Sequence, residues 1–232
     1  MLTIMNQEIL TEQQAGLIYK IPLFRDMSDE FKGNLLDRLD YSVYRIKRGE
    51  VIIKQDTPCQ HLHILLEGKL EVNIIDGAGN NIKVENIVAP RAFATPHLFN
   101  SNDIFPATFT VMESGILFRA TKESAFELIS SNPDLLKTFL RIRGNCTACT
   151  VSRLRILSYK SIRSRFICYL FEHKVNSTMS VMQHNQTQLA EYLNVSRPAL
   201  AKEAKLMTDE GLIDIKGKDV HLLNTLKLLK YI

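Results

Sequence analysis

The sequence predicts an α+β fold in three parts: an N-terminal jelly-roll β-barrel, a long helix and a C-terminal winged helix-turn-helix. Short β-branched and aromatic runs, separated by turn residues, extend from Tyr41 to Arg119. A helical period begins at Thr121, and residues 186–211 resemble two helices joined by a tight turn. We place the parts at residues 1–131, 132–158 and 159–232.

Composition is that of a globular protein. The 232 residues are 45% hydrophobic and 23% charged, enough for one or two buried cores. No apolar run approaches the ~20 residues of a membrane span, and Met1 to Gln14 is too polar for a signal peptide. Four cysteines are too few for a disulfide scaffold. We therefore expect a cytoplasmic protein with no membrane partner.

The net charge of +4 is unevenly distributed. Thirteen of the 29 basic and seven of the 25 acidic residues lie in residues 151–232, a net charge of +6 that leaves −2 for residues 1–150. The basic third contains the predicted helix-turn-helix, as a phosphate-binding surface requires.

The first part is predicted to begin with short helices between Leu17 and Leu39, followed by the strands of the roll. Turn signals separate the strands at Gly49, Thr57-Pro58, Gly68, 77–79 and Ala89-Pro90. The predicted strands are Ser42–Arg45, Val51–Lys54, Leu62–Leu66, Leu70–Ile75, Ile82–Ile87, Phe109–Val111 and Ile116–Arg119.

A short helix, Thr121 to Ser130, precedes the long one. Asn132 stands at the N-cap of the long helix and Pro133 in its first turn, and the pattern continues to about Ser158. Residues spaced alternately by four and three form a coiled-coil seam, which predicts a homodimer. The seam comprises Leu135, Phe139, Ile142, Cys146, Cys149, Arg153 and Ile156.

A second apolar stripe runs beside this seam, through Leu136, Leu140, Leu154 and Leu157. Two stripes predict that the helix packs against both its own domain and a partner. The alternative is a helix that packs only within its own chain. A further helix, from Ser161 to His173, leads into the third part.

In the helix-turn-helix, Asn194 and Val195 form the turn and Ser196 is the N-cap of the second helix. Pro198 lies in the first turn and Gly211 closes the helix. The apolar points that face a core are Leu189, Ala190 and Leu193 in the first helix and Leu200, Ala204 and Met207 in the second, where Glu203 shares the inner side.

The outer side of the second helix is small or cationic. Small side chains allow close approach to a major groove, and Arg or Lys reaches guanine edges or phosphates. An ordinary solvated face is the alternative. These outer residues are Arg197, Pro198, Ala201, Lys202 and Lys205.

Two short strands, Leu212–Lys216 and Val220–Leu223, flank Gly217, Lys218 and Asp219. Glycine permits a positive φ in the turn, so a hairpin is predicted. A hairpin after a recognition helix is a wing, and its lysines, at 216 and 218, can contact phosphates.

This order of parts resembles the CRP/FNR family of bacterial transcription regulators over nearly the whole chain. Residues 48–52 and 62–72 resemble early strands of the family's cyclic-nucleotide-binding-like roll, 132–136 its entry to the dimer helix and 188–197 its helix-turn-helix. The resemblance implies a homodimer on near-palindromic double-stranded DNA, with RNA polymerase as a further partner. It also implies a roll that senses a signal and no enzymatic activity.

Carried onto this sequence, the resemblance gives Arg197 the base-reading position and Ser196 and Thr187 phosphate contacts. Pro198 replaces the acidic residue that usually follows the arginine, so the half-site should differ from that of the cyclic-AMP receptor branch. The full set predicted to contact DNA is Gln186, Thr187, Ser196, Arg197, Pro198, Ala201, Lys202, Lys205, Lys216 and Lys218.

The sensing segment departs from the family. Residues 89–99 and 102–108 lack the Gly-Glu pair and the anchoring arginine of cyclic-AMP-binding members. A buried phosphate without a cation carries a large desolvation penalty, so we expect no useful affinity for cyclic nucleotides and predict no cofactor. Either an apolar effector pocket or a filled core is expected here, with Phe93, Thr95, His97, Phe99, Phe105 and Thr108 as candidates for the pocket.

One alternative is redox or metal sensing. Cys146 and Cys149 lie three apart on the predicted seam, and Cys59 and Cys168 complete the set. Iron–sulfur members of the family cluster their cysteines near the N-terminus, where residues 1–58 contain none. Buried cysteine is more often a small hydrophobe.

The other alternative is a metalloenzyme. His61, His63 and Glu67 have the HxHxxxE spacing of cupin metal sites, with His97 as a further ligand for iron, manganese or zinc. The flanking cupin glycines are missing. Neither a P-loop nor a GxGxxG motif is present, so the sequence does not support other catalysis.

Overall fold

The computed structural model of the chain describes residues 6–77, 79 and 81–232. It divides into two compact units, residues 1–144 and 145–232. The long helix is therefore shared between the units. Ala78, part of a predicted turn, lies outside the described residues. No helix in the described ranges is long and apolar enough to cross a membrane.

Short elements open the first unit: β1 (Asn6–Glu8), α1 (Glu12–Ile18), α2 (Asp29–Gly33) and a 3₁₀ turn (Leu36–Arg38). Thr11 begins α1 with a capping box in which its hydroxyl accepts from the backbone nitrogen of Gln14. The helices predicted between Leu17 and Leu39 are thus present, although α1 starts earlier than predicted.

The roll is antiparallel throughout, and the strands run in the order β1-β2-β7-β4-β5, with β3 on β7 and β6 on β4. Large apolar side chains from both long strands, such as Ile64 and Phe118, form its core. Its strands are β2 (Tyr41–Ile46), β3 (Val51–Ile53), β4 (His61–Ile75), β5 (Asn81–Val88), β6 (Arg91–Phe93) and β7 (Thr108–Thr121).

The turn predicted at Gly68 is wrong. β4 and β7 each run unbroken through a shift of register near Glu67, joining runs predicted as separate strands. Gly68 has φ +94°, and a Cβ there would lie 2.6 Å from the carbonyl oxygen of Glu113. A Cβ on Gly115 would overlap the carbonyl oxygen of Glu67. The two glycines allow the strands to approach closely at a β-bulge, a role that resembles a turn in sequence.

Two helices, α3 (Thr95–Leu98) and α4 (Lys122–Ser130), belong to the first unit, and a third, α5 (Pro133–Ser158), begins there and ends in the second. The Asn132 side-chain oxygen accepts from the backbone nitrogens of Asp134 and Leu135, at 3.0 and 2.9 Å. This cap confirms the predicted start of the long helix, and its end at Ser158 also agrees.

The predicted seam on α5 is corrected by the packing. Leu135 and Phe139 are buried in the core of the first unit and Ile156 in that of the second, while Ile142 is half-buried against the first core. These side chains are already packed within their own chain. Cys146 and Cys149 remain exposed. The two apolar stripes lie only about 100° apart on the helix, so periodicity could not decide which one faces inwards.

The second unit contains the predicted hairpin and one strand more. The hairpin turns at Gly217, with φ +64°, so that Lys216 pairs with Asp219. The extra strand, β8, adds to it in the order β8-β10-β9. The elements are α6 (Ile162–Glu172), β8 (Met179–Val181), α7 (Gln186–Tyr192), α8 (Arg197–Asp209), β9 (Ile213–Lys216), β10 (Asp219–Leu222) and α9 (Thr225–Leu229).

Candidate nucleic-acid interface

Side-chain caps fix both helices of the helix-turn-helix. Asn185 begins α7 with a capping box that pairs it with Gln188, at 2.9 and 3.0 Å. Asn194 adopts φ +53° in the turn, a conformation that asparagine tolerates better than most residues. Ser196 then accepts from the backbone nitrogen of Ala199 at 3.3 Å. The predicted cap of α8 is confirmed, as is its end before Gly211, with φ +65°.

Arg163 on α6 anchors the inner side of α8. Its guanidinium donates to Glu203 at 2.6 Å, to both carboxylate oxygens of Glu210 at 2.7 and 2.8 Å, and to the hydroxyl of Tyr231 at 3.2 Å. Hydrogen bonding to Glu210 is the main cause that raises the pKa of Arg163, and the same bond lowers the pKa of Glu210. This network holds α8 at two points about two turns apart, in its middle at Glu203 and at its C-cap, Glu210.

Sequence analysis did not identify Arg163. The available signal was Glu203, an acid on the apolar side of an amphipathic helix. A carboxylate at that position needs a cationic partner nearby, but a single sequence does not show which arginine supplies it.

The outer side of α8 is exposed, and its cationic side chains face solvent. Arg197, Lys202 and Lys205 are exposed, as are Pro198 and Ala201 between them. The Arg197 guanidinium reaches the side-chain oxygen of Gln186 on α7 at 3.5 Å, linking the two helices at this surface. Gln186, Thr187 and Ser196 are also exposed.

The two lysines of the hairpin differ in their surroundings. Lys216 lies 3.3 Å from a carboxylate oxygen of Asp214, which partly neutralises it. Lys218 stands exposed in the turn, and its carbonyl oxygen accepts from the backbone nitrogen of Met182 at 2.8 Å. Lys218 is therefore the better placed of the two to meet a phosphate.

The residues predicted to form an effector pocket are only partly brought together. Phe93 and Phe105 are buried in an aromatic cluster with His63 and Phe109, whose ring centroids lie 5.3 to 6.0 Å apart. Phe99 instead packs against the rings of two helices, Phe126 on α4 and Phe139 on α5.

Of the remaining three, Thr95 and His97 lie on α3, and Thr108 begins β7. Thr95 is buried at the start of α3, where its carbonyl accepts from Arg143, and burial lowers the pKa of the neighbouring His97. Thr108 accepts from the backbone nitrogen of Gln55 at 3.1 Å. At Phe93 and Phe105, the packing agrees with a filled core, the alternative to a pocket.

An arginine occupies the place of a metal ion beside the predicted cupin-like ligands His61, His63 and Glu67. The Arg119 guanidinium lies 2.8 Å from Nδ1 of His61, where a metal ion would have to approach, and Glu67 is exposed. Burial, and after it Arg119, lowers the pKa of His63 to about 3. Within the described residues, no group of three or more His, Cys, Asp or Glu side chains could hold a metal ion.

All four cysteines are free thiols. Cys59 and Cys168 are buried, and burial raises the pKa of Cys59 to about 11. A thiol with a raised pKa is a poor nucleophile at neutral pH. Cys146 and Cys149 are exposed on α5, and their redox role stays a prediction.

Comparison with known proteins matches residues 43–132 to the cyclic nucleotide-binding domain family. A probable transcriptional regulator, flp, of Lacticaseibacillus casei is 22% identical over 208 residues, covering 88% of this chain and 92% of that protein. Thermus thermophilus catabolite activator protein superposes with a TM-score of 0.54 at 17% identity, covering 90% and 97% of the two chains. DNR from Pseudomonas aeruginosa gives 0.50 at 18% identity, covering 97% and 100%.

Proposed function

We propose that this chain is a transcriptional regulator of the CRP/FNR family and that it acts as a homodimer that binds a two-fold-symmetric DNA site. Its named relatives are regulators and not enzymes. The observation that carries the proposal is α8, whose inner side is fixed to α6 through Arg163 while its outer side presents cations and small residues to solvent. A rigidly held, exposed basic helix is what major-groove recognition requires.

Within this proposal, Arg197 contacts a base edge from the first turn of α8. Ser196 and Thr187 contact phosphates beside it, and Lys218 contacts a phosphate from the hairpin. Pro198 and Ala201 leave room for the groove wall, because neither side chain extends far from the helix.

The proposed dimer contact lies on the exposed stripe of α5. Leu136, Leu140 and Leu154 are 37%, 57% and 63% exposed, and Val151, between them in sequence, is 60% exposed. Large apolar side chains repeated along one helix at this spacing are typical of a helix that packs against a second copy. Two copies related by a two-fold axis would present two reading helices to two half-sites.

The proposed signal is not cyclic AMP. Arg91 is the one arginine between residues 89 and 108, and its guanidinium lies 3.1 Å from Glu85, so a carboxylate already partners it. A signal of another kind would act by shifting the population of packing arrangements along α5. We place the regulator in the cytoplasm, where it would meet DNA and RNA polymerase.

Selection from random-sequence duplex DNA by the purified full chain tests the proposal, run with and without a small-molecule extract of its own cells. Enrichment of a two-fold-symmetric site is expected, and enrichment only with extract would show that an effector exists. Absence of enrichment in both arms, with a folded dimer in hand, would refute the proposal.

Arg197→Ala should weaken binding by ~1–3 kcal/mol and relax preference at one base position. Lys218→Ala should weaken all sequences alike and reduce the salt slope by about 1. Lys230→Ala, an equal change of charge on a residue assigned no DNA contact, is the control. An unchanged sequence preference in Arg197→Ala would remove that residue from base reading.

Light scattering tests the dimer. Leu154→Glu should yield monomers, because two carboxylates would face each other across the two-fold axis. Leu226→Glu replaces a still more exposed leucine outside α5, 78% exposed on α9, and should remain dimeric. Dimers in both variants would contradict the assigned stripe.

A further inference from the structure

A cleft opens in the second unit between the helix-turn-helix and the hairpin. Its volume is about 290 Å³, near the lower end of small-ligand sites, ~300–1,000 Å³. Helices α6, α7 and α8 and the β9–β10 hairpin all contribute to its wall. The apolar side chains that line it are Phe166, Met182, Leu189, Leu200, Ala204 and Ile215.

The polar residues of the cleft include two cations, Arg197 and Lys218. Neither forms an ion pair within the part of the chain that the structure describes, and the hydrogen bond that the Arg197 guanidinium donates to Gln186 is long at 3.5 Å. Both guanidinium and ammonium groups therefore remain available to an anion.

His184, which also lines the cleft, does not add to this charge. Its Nδ1 lies 2.9 Å from the Tyr169 hydroxyl, and its ring stacks on Tyr192 with centroids 4.8 Å apart. Burial is the main cause that lowers the pKa of His184, with His173 and Arg153 adding to it. The imidazole is therefore neutral at pH 7, and the positive charge comes from Arg197 and Lys218.

We propose that this cleft binds a small amphipathic anion, an aromatic ring or short alkyl chain that carries one carboxylate. The apolar wall would cover the ring or chain, and Arg197 and Lys218 would bind the carboxylate. Since both cations belong to the proposed DNA surface, ligand and DNA would compete. That competition rests on the proposed function, whereas binding of the ligand itself does not.

The first test is titration of the full chain, followed by backbone amide NMR, with indole-3-acetate as the probe. Indole-3-acetamide, of the same shape without the charge, is the matched control. Saturable shifts at cleft residues such as Leu189, Ala201 and Gly217 are expected, with binding at least about tenfold tighter for the acid. No saturable shift with millimolar indole-3-acetate, 3-phenylpropionate or octanoate would overturn the proposal.

Variants then locate the site. Ala204→Leu, which adds bulk at the wall, should abolish the shifts, and Ala201→Leu provides a second blocking variant if the first fails to fold. Lys218→Ala should weaken binding several-fold, while Lys230→Ala, with the same change of charge at the C-cap of α9, should bind as the unchanged chain does. Equal weakening by both lysine variants would show general electrostatic attraction and refute a built site.

A competition assay separates the two proposals. With the selected DNA site in hand, indole-3-acetate should raise the apparent Kd for DNA in proportion to its own occupancy. Amide shifts from the acid in a protein that selects no DNA would refute the proposed function and leave the ligand site standing. DNA binding unaffected by a saturating acid would refute the competition.

Discussion

The interior of the roll and the cleft of the second unit are both lined with apolar side chains, yet they are closed to different degrees. In the roll, the rings of His63, Phe93, Phe105 and Phe109 contact one another and fill the space between strands. In the second unit, the hairpin leaves about 290 Å³ open beside α8. Apolar composition alone therefore does not distinguish a core from a ligand site; what differs is whether a facing element closes over it.

The largest expected effect concerns the close approach of β4 and β7 at Gly115. Gly115→Ala should lower the free energy of unfolding by more than about 4 kcal/mol, because its methyl group would overlap the Glu67 carbonyl. Glu67 lies in β4, which is paired with neighbouring strands and cannot shift by itself. Thermal melting should show the roll's transition lost. Gly16→Ala, in a helix with no atom within 4 Å of the added methyl, should be stabilising by up to ~1 kcal/mol. A Gly115→Ala protein that melts like the original would contradict the close approach of β4 and β7.

The comparison itself is tested by changing volume in both regions. Phe93→Ala should destabilise the roll by about 3–5 kcal/mol, since it leaves a cavity in a filled core. Ala204→Leu should cost less than about 1.5 kcal/mol, since the cleft has space for the added atoms. Urea unfolding measures both. A loss below 1 kcal/mol for Phe93→Ala, as a rough threshold, would show that Phe93 lines a pocket after all.

The closed interior also predicts a dependence on pH. The folded pKa of His63 is about 3, against 6.5 for the free side chain. Between these values the unfolded chain binds a proton that the folded roll excludes. Stability should therefore fall by about 1.4 kcal/mol per unit as pH decreases from 6.5 towards 3, with no contribution from His63 above that range.

His63→Leu provides the control for this dependence. Its unfolding free energy should fall less steeply below pH 6.5, whatever its absolute stability, because one proton fewer is taken up on unfolding. His61 and its own lowered pKa remain in both proteins. Identical slopes would mean that the imidazole is accessible to solvent in the folded roll.

The smallest expected effect concerns the helix that borders the open cleft. Arg163→Ala should destabilise the second unit by about 1–2 kcal/mol, a value reduced for partial solvent exposure of the network. Arg163→Lys should recover part of that loss, since it keeps the charge but not the forked geometry. Urea unfolding with a probe in the second unit would measure it. Equal stability of all three proteins would mean that apolar packing alone holds α8.

The helix-turn-helix could be predicted almost residue by residue, because its boundaries depend on local chemistry. Ser196 must accept a backbone hydrogen bond where the helix begins, and Gly211 adopts a positive φ where it ends. The start of α5 at Asn132 follows for the same reason. The hairpin was likewise indicated by Gly217, although nothing local announced the added strand β8.

What could not be predicted depends on contacts distant in the chain. A glycine that allows two paired strands to approach closely has the same local signature as one that makes a turn, so the sequence alone predicts a turn at Gly68. The partner of Glu203 is forty residues away, at Arg163. The cleft is lined together by α6, α7, α8 and the hairpin, so no single segment of the sequence encodes it.

The β-bulge at Gly68 also divides β4 into two segments, and which side chains face the core is set separately in each segment. Before it, residues 62–66 are buried without interruption, whereas beyond it buried Leu70 and Val72 alternate with the half-exposed Lys69 and Glu71. Deleting Lys69 would turn Leu70 and Val72 outwards and leave the earlier segment unchanged. An insertion or deletion between Gly68 and Leu70 therefore keeps Leu70 and Val72 facing the core only in steps of two residues, and the half of the strand before the glycine keeps its own orientation.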